Sequence, residues 1–122
     1  MNFKSFYLTE NILENSKAFK DLKNRLSGFI QKEPSEIKTM ETGSLLIFSP
    51  VGSWTTFVSY LKNDLTGYKF VDSKSDKDQL CFKNNALVFW ARLIGSDAYI
   101  YITNKNNQEE PEWEDVSDSE EV

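Results

Sequence analysis

Apolar positions along the chain fall first into a helical stripe and later into short, strand-like runs. Ile12, Leu13, Phe19, Leu22, Leu26 and Phe29 recur at the three-, four- and seven-residue spacing of one helix face. Thr9 and Glu10 read as a cap and a first-turn acid for this helix. Asp21 and Arg25 are spaced for an i,i+4 ion pair on its other side. Gly28 is placed to end it, with a run on to Lys32 as the alternative, and Pro34 forbids it from going further. Leu45-Leu46-Ile47-Phe48, between Gly43 and Pro50, predicts a buried strand. Ser53 then reads as a second N-cap, with Trp54, Phe57, Val58, Leu61 and Leu65 on one face and Gly67 past the end. The β-branched Thr55, Thr56 and Val58 pull toward strand, and helix wins there on period.

The remaining elements are strands. Residues 68–71 form a short candidate, and the polar stretch 72–78 is loop. Leu80-Cys81-Phe82 leads into Asn84-Asn85, a pair suited to a hairpin turn. Residues 86–94 are apolar on both faces, as a central strand requires, and Gly95-Ser96-Asp97 turns the chain again. Ala98, Ile100 and Ile102 alternate with Tyr99, Tyr101 and Thr103, the pattern of a half-buried strand. The order predicts an α+β fold: two amphipathic helices packed on one face of a mostly antiparallel sheet of four to five strands. Residues 1–104 make one domain on this reading, followed by a linker and acidic C-terminal tail at 105–122.

Charge divides the chain at the same boundary. Residues 109–122 hold eight acidic side chains and no basic one, while all fourteen Lys and Arg stand elsewhere against eleven acids. A net charge of −5 is therefore a body near +3 joined to a segment of −8. That segment is too acidic and too poor in apolar residues to fold alone. It could serve only as a solubilising tail, or fold back on the body's positive patch. Trp113 and Val116 within it suit a docking peptide, in which a ring fills a pocket and acids hold a basic rim.

Chemistry is restricted. The chain has no histidine, which removes the commonest general base and most zinc sites. The single Cys81 lies between Leu80 and Phe82, where a buried inert thiol is expected, and it excludes an internal disulfide. Asp72, Asp76 and Asp78 crowd one loop without the order or glycine of a calcium loop. No phosphate-cradling glycine motif occurs. The expectation is a non-enzymatic protein without cofactor or metal. It has no apolar run long enough for a membrane, and one cysteine with no evident signal peptide suits the cytoplasm.

Two binding functions follow. In the first, the protein is an inhibitor of immunity-protein or phage-encoded anti-defence type, bacterial or phage in character. It caps a partner with a basic, nucleic-acid-handling surface, such as a nuclease toxin, by presenting carboxylates in place of phosphates. Glu109, Glu110, Glu112, Trp113, Glu114, Asp115 and Val116 are its candidate contacts, with Trp113 as anchor. In the second, the body binds single-stranded nucleic acid and the acidic tail regulates it. If Gly95-Ser96 is a two-residue turn, Trp90, Arg92, Tyr99 and Tyr101 share one sheet face, with rings to stack on bases and a cation for the backbone. Lys17, Lys20, Lys23 and Arg25 of the first helix join that candidate site. The plain alternative is that this face packs under a helix. A secretion-type chaperone is a third possibility of suitable size.

Overall fold

Ser16 starts the first long helix by satisfying the amide groups that a helix leaves bare at its N-terminus. Its Oγ accepts from the Phe19 amide at 3.1 Å, and its own backbone is extended. The computed structural model describes residues 13–106 together with Pro111 and Trp113. Helix α1, Lys17–Ile30, follows that cap. Residues 13–15 form a separate helical turn, so the continuous stripe from Ile12 is broken at Ser16; Thr9 and Glu10 lie outside the described residues. Gly28 is helical rather than terminal. Gln31 takes the left-handed φ of 68° instead, and its amide donates to the Ser27 carbonyl at 2.7 Å. Asp21 and Arg25 form the i,i+4 pair at 3.8 Å.

Helix α2, Trp54–Asn63, is capped as its sequence predicts, with Ser53 Oγ accepting from the Thr56 amide at 3.2 Å. Tertiary burial of Phe57 and Leu61 outweighs the strand preference of Thr55, Thr56 and Val58. Gly67 carries a φ of 91°.

Among the described residues six strands form one antiparallel sheet: β1 Glu36–Thr39, β2 Ser44–Phe48, β3 Lys69–Phe70, β4 Leu80–Lys83, β5 Leu87–Ile94 and β6 Asp97–Asn104. Their order is β1-β2-β6-β5-β4-β3. The fold is α+β, but the expected four to five strands become six. The added strand is β1, a largely exposed edge element in which Ile37 is the only aliphatic residue, between Glu36 and Lys38. Gly95-Ser96 is the two-residue turn between β5 and β6, which pairs Arg92 with Tyr99 and Trp90 with Tyr101. At the other hairpin Asn84 is an Asx turn, its Oδ1 accepting from the Ala86 and Leu87 amides at 2.8 Å each.

The period-two alternation of the strands gives the sheet two distinct faces. On one face Leu46, Phe48, Phe82, Leu87, Phe89, Ala91, Ala98, Ile100 and Ile102 pack with Phe19, Leu22 and Leu26 of α1 and Phe57 and Leu61 of α2. On the other, Leu45, Ile47, Cys81, Val88, Trp90, Tyr99 and Tyr101 pack with Trp113. Strand β6 is therefore buried on both faces, not half-buried. Among the described residues, no helix is long and apolar enough to cross a membrane.

Candidate functional site

The face opposite α1 and α2 carries Trp90, Arg92, Tyr99 and Tyr101, and their common placement follows from the β5–β6 register alone. Extending that register across the sheet gives three cross-strand rows. Lys69, Lys83, Val88 and Thr103 form one end row. Cys81, Trp90, Tyr101, Leu45 and Lys38 form the centre. Arg92, Tyr99, Ile47 and Glu36 form the other end. Aromatic rings thus occupy the centre row and one end row, with Arg92 beside Tyr99, Lys69 and Lys83 at the other end, and Lys38 paired with Glu36 at 3.8 Å on the β1 edge.

The rings are held in fixed positions. Trp90 is fully buried, and its ring centroid lies 6.2 Å from that of Tyr101 at a tilt of 44°. The Tyr101 hydroxyl is hydrogen-bonded to Thr42, and burial holds its pKa above the usual tyrosine value despite that bond. Gly43 lets the chain beside Thr42 approach β6. A methyl group at position 43 would meet the Ile102 carbonyl, Thr103 Cγ2 at 2.9 Å and Tyr101 Cζ at 3.1 Å. The Trp90 indole nitrogen is buried and has no hydrogen-bond acceptor among the described residues, an uncommon state for a buried donor.

Trp113 completes this face. Its indole Nε1 donates to Gln79 Oε1 at 2.6 Å, and the Arg92 guanidinium carbon lies 5.8 Å from its ring centroid, within cation–π range. The Gln79 amide is oriented for the purpose: its Nε2 donates to the Lys74 carbonyl at 3.4 Å, and Oε1 faces the indole. Gln79 itself is buried, and its backbone amide is held by Asp76 Oδ1 at 3.0 Å. The same carboxylate oxygen accepts from the Asp78 amide at 2.7 Å, so Asp76 serves the turn. Cys81 is wholly buried in the ring cluster. No group of three or more metal-ligating side chains occurs among the described residues.

Trp113 is thus seated on the protein's own sheet. Glu109, Glu110, Glu112, Glu114, Asp115 and Val116 lie outside the described residues. The helix cations are separated from the rings, contrary to their expected grouping, because α1 packs on the opposite face. Lys23 pairs with Glu33 at 3.6 Å, Arg25 pairs with Asp21, and Lys17 and Lys20 are exposed on that far layer. Neither of the two long helices covers the rings, since both lie on the other side. Gln79 was not legible as a site residue, since a lone glutamine before a strand carries no signal of its partner.

Compared with known proteins, the chain matches no family model, no curated protein and no solved structure.

Proposed function

We propose that the protein is a non-enzymatic binding module that holds single-stranded nucleic acid on the ring face of its sheet, with the acidic segment as a resident competitor. The observation that carries this reading is the seat of Trp113 against Arg92 and Gln79, within the cluster of Trp90, Tyr99 and Tyr101. In sequence that indole is flanked by Glu112, Glu114 and Asp115. A ring bordered by carboxylates carries the two features of a nucleotide, a planar π surface and negative charge. A face that accommodates one has the chemistry to accommodate the other. Stacking on such rings contributes about 1–3 kcal/mol per base, and it tolerates any sequence. The unpartnered Trp90 indole N–H is a donor that a base edge can satisfy once Trp113 has left.

The same seat also favours a second reading, the inhibitor. A target with a basic rim and a hydrogen-bond acceptor would offer Trp113 what Arg92 and Gln79 offer it here, and the acids of 109–122 would steer association. The two readings differ in what removal of the segment does. Fluorescence anisotropy of a labelled twelve-residue oligothymidylate, with the full chain and with residues 1–108, separates them. Under the nucleic-acid reading truncation strengthens binding by ten-fold or so, and affinity falls steeply with salt. Oligonucleotide bound by neither form, with a stoichiometric protein partner lost on truncation, would assign the function to the inhibitor.

A further inference from the structure

A groove opens at the sheet edge beside the Lys69–Lys83 row, between the α2–β3 connection and the β4–β5 turn. It has a volume of about 740 Å3 and is lined by Gly67, Tyr68, Lys69, Lys83, Asn84, Asn85 and Ala86, with no carboxylate among them. Lys69 and Lys83 are directly opposite each other across the β3–β4 ladder. Like charges in that relation destabilise a sheet, because their β-carbons stand only about 5 Å apart. Neither lysine has an ion-pair partner among the described residues, and both are exposed. Lys83 also lies opposite Val88, which belongs to the ring cluster, so the lysine pair is on the face that bears Trp90. A third cation, Lys62, lies 4.8 Å from the ring centroid of Phe70 at the same edge.

We infer that this groove binds a phosphate group between the Lys69 and Lys83 ammonium ions. A dianion between the two relieves their mutual repulsion, and none of the lining residues is an acid that could pair with the lysines in its place. The floor is firm. The Tyr68 hydroxyl is hydrogen-bonded by the Asn84 side chain, and burial pushes its pKa up to about 12, so it stays a neutral donor at any working pH. Asn84 also fixes the turn through the Ala86 and Leu87 amides. The inference extends the proposed function, because a strand stacked over Trp90 would pass Val88 and meet the lysine pair as it leaves the rings. The phosphate can belong to such a strand or be a free phosphate compound, and the two sources are separable.

The test uses the full chain and its Lys69→Gln/Lys83→Gln variant, with sodium pyrophosphate and labelled oligothymidylate as probes. Pyrophosphate at low ionic strength should shift the amide resonances of Lys69, Asn85 and Ala86 saturably, and the double variant should lose those shifts while the rest of its spectrum is unchanged. Absent or non-saturable shifts, or shifts that persist in the double variant, would overturn the site. In a Trp113→Ala background, the double substitution should flatten the dependence of log affinity on log salt for the oligonucleotide by about 1.4, two contacts at roughly 0.7 each. An unchanged slope with pyrophosphate shifts intact supports the site and assigns it to a free phosphate compound. Pyrophosphate binding without oligonucleotide binding by any form also supports the site, and it removes the nucleic-acid reading instead.

Discussion

On one face of the sheet, α1 and α2 bring Phe19, Leu22, Leu26, Phe57 and Leu61 down onto Phe89, Ile100 and Ile102. On the other, the single described residue from the acidic segment that reaches the rings is Trp113. Both faces are buried, but the covers differ in kind. The helices are continuous with the strands through short connections and carry many apolar side chains each. They cannot leave without unfolding the domain. Trp113 is held by its ring contacts, one hydrogen bond and one cation–π contact, and charge surrounds it in sequence. A cover of that strength can exchange with a ligand of similar chemistry. On the proposed reading stability belongs to the helix face and binding to the ring face, and each part of that contrast can be tested.

The largest effect should come from the helix face. Phe89 stacks on Phe82 at 5.2 Å and meets Tyr68 edge-on at 5.4 Å with no exposed surface. Phe89→Ala should cost about 3–5 kcal/mol in urea denaturation, the range for a large ring removed from a packed core. Gly43→Ala tests the backbone approach on the ring side. The added methyl group must displace the Ile102 carbonyl, Thr103 or Tyr101, and a loss of about 1–3 kcal/mol is expected in the same assay.

Removal of the cover should cost less. Full burial of a large apolar side chain stabilises by about 1.5–3 kcal/mol, but a released segment regains the conformational freedom that seating it had cost. Trp113→Ala should therefore lower stability by only about 1–2 kcal/mol. A loss as large as that of Phe89→Ala would mean that Trp113 is an integral core residue, and the contrast between the faces would fail.

The smallest effect is a titration. Burial raises the pKa of both Tyr68 and Tyr101 above the 10.0 of an unfolded tyrosine. The folded protein therefore keeps the neutral phenols after the unfolded chain has ionised. Their contribution is intact below about pH 10 and is lost as pH rises, through a window that ends near 12 for Tyr68. Ring-carbon NMR of residues 1–108 should show the Tyr101 pKa falling toward its ordinary value, while Tyr68, under the helices, stays near 12. Equal movement of both would show that the segment stabilises the whole domain and not one face.

Much of this architecture was legible because its signals are local. The helical period marked Phe19, Leu22, Leu26, Phe57 and Leu61, and Ser53 announced its cap. The Gly95-Ser96 turn fixed which side chains share a face with Trp90. Strand β1 was not legible, because an exposed edge strand needs little apolar content and Ile37 is the only aliphatic residue among its four. The break at Ser16 was hidden by an apolar stripe that continues across it. The cover on the rings could not be read either. Its seat joins residue 113 to residues 79 and 92, and a contact over that separation leaves no periodic trace in sequence.

The most direct test of a displaceable cover is the Trp113 indole N–H resonance during titration of the full chain with oligothymidylate. The account predicts that this signal leaves its Gln79-bonded position for that of a solvent-exposed indole, in step with shifts at Trp90, Tyr99 and Tyr101. An oligonucleotide that binds while the Trp113 signal stays in place, or one that does not bind even after Trp113→Ala, would contradict it.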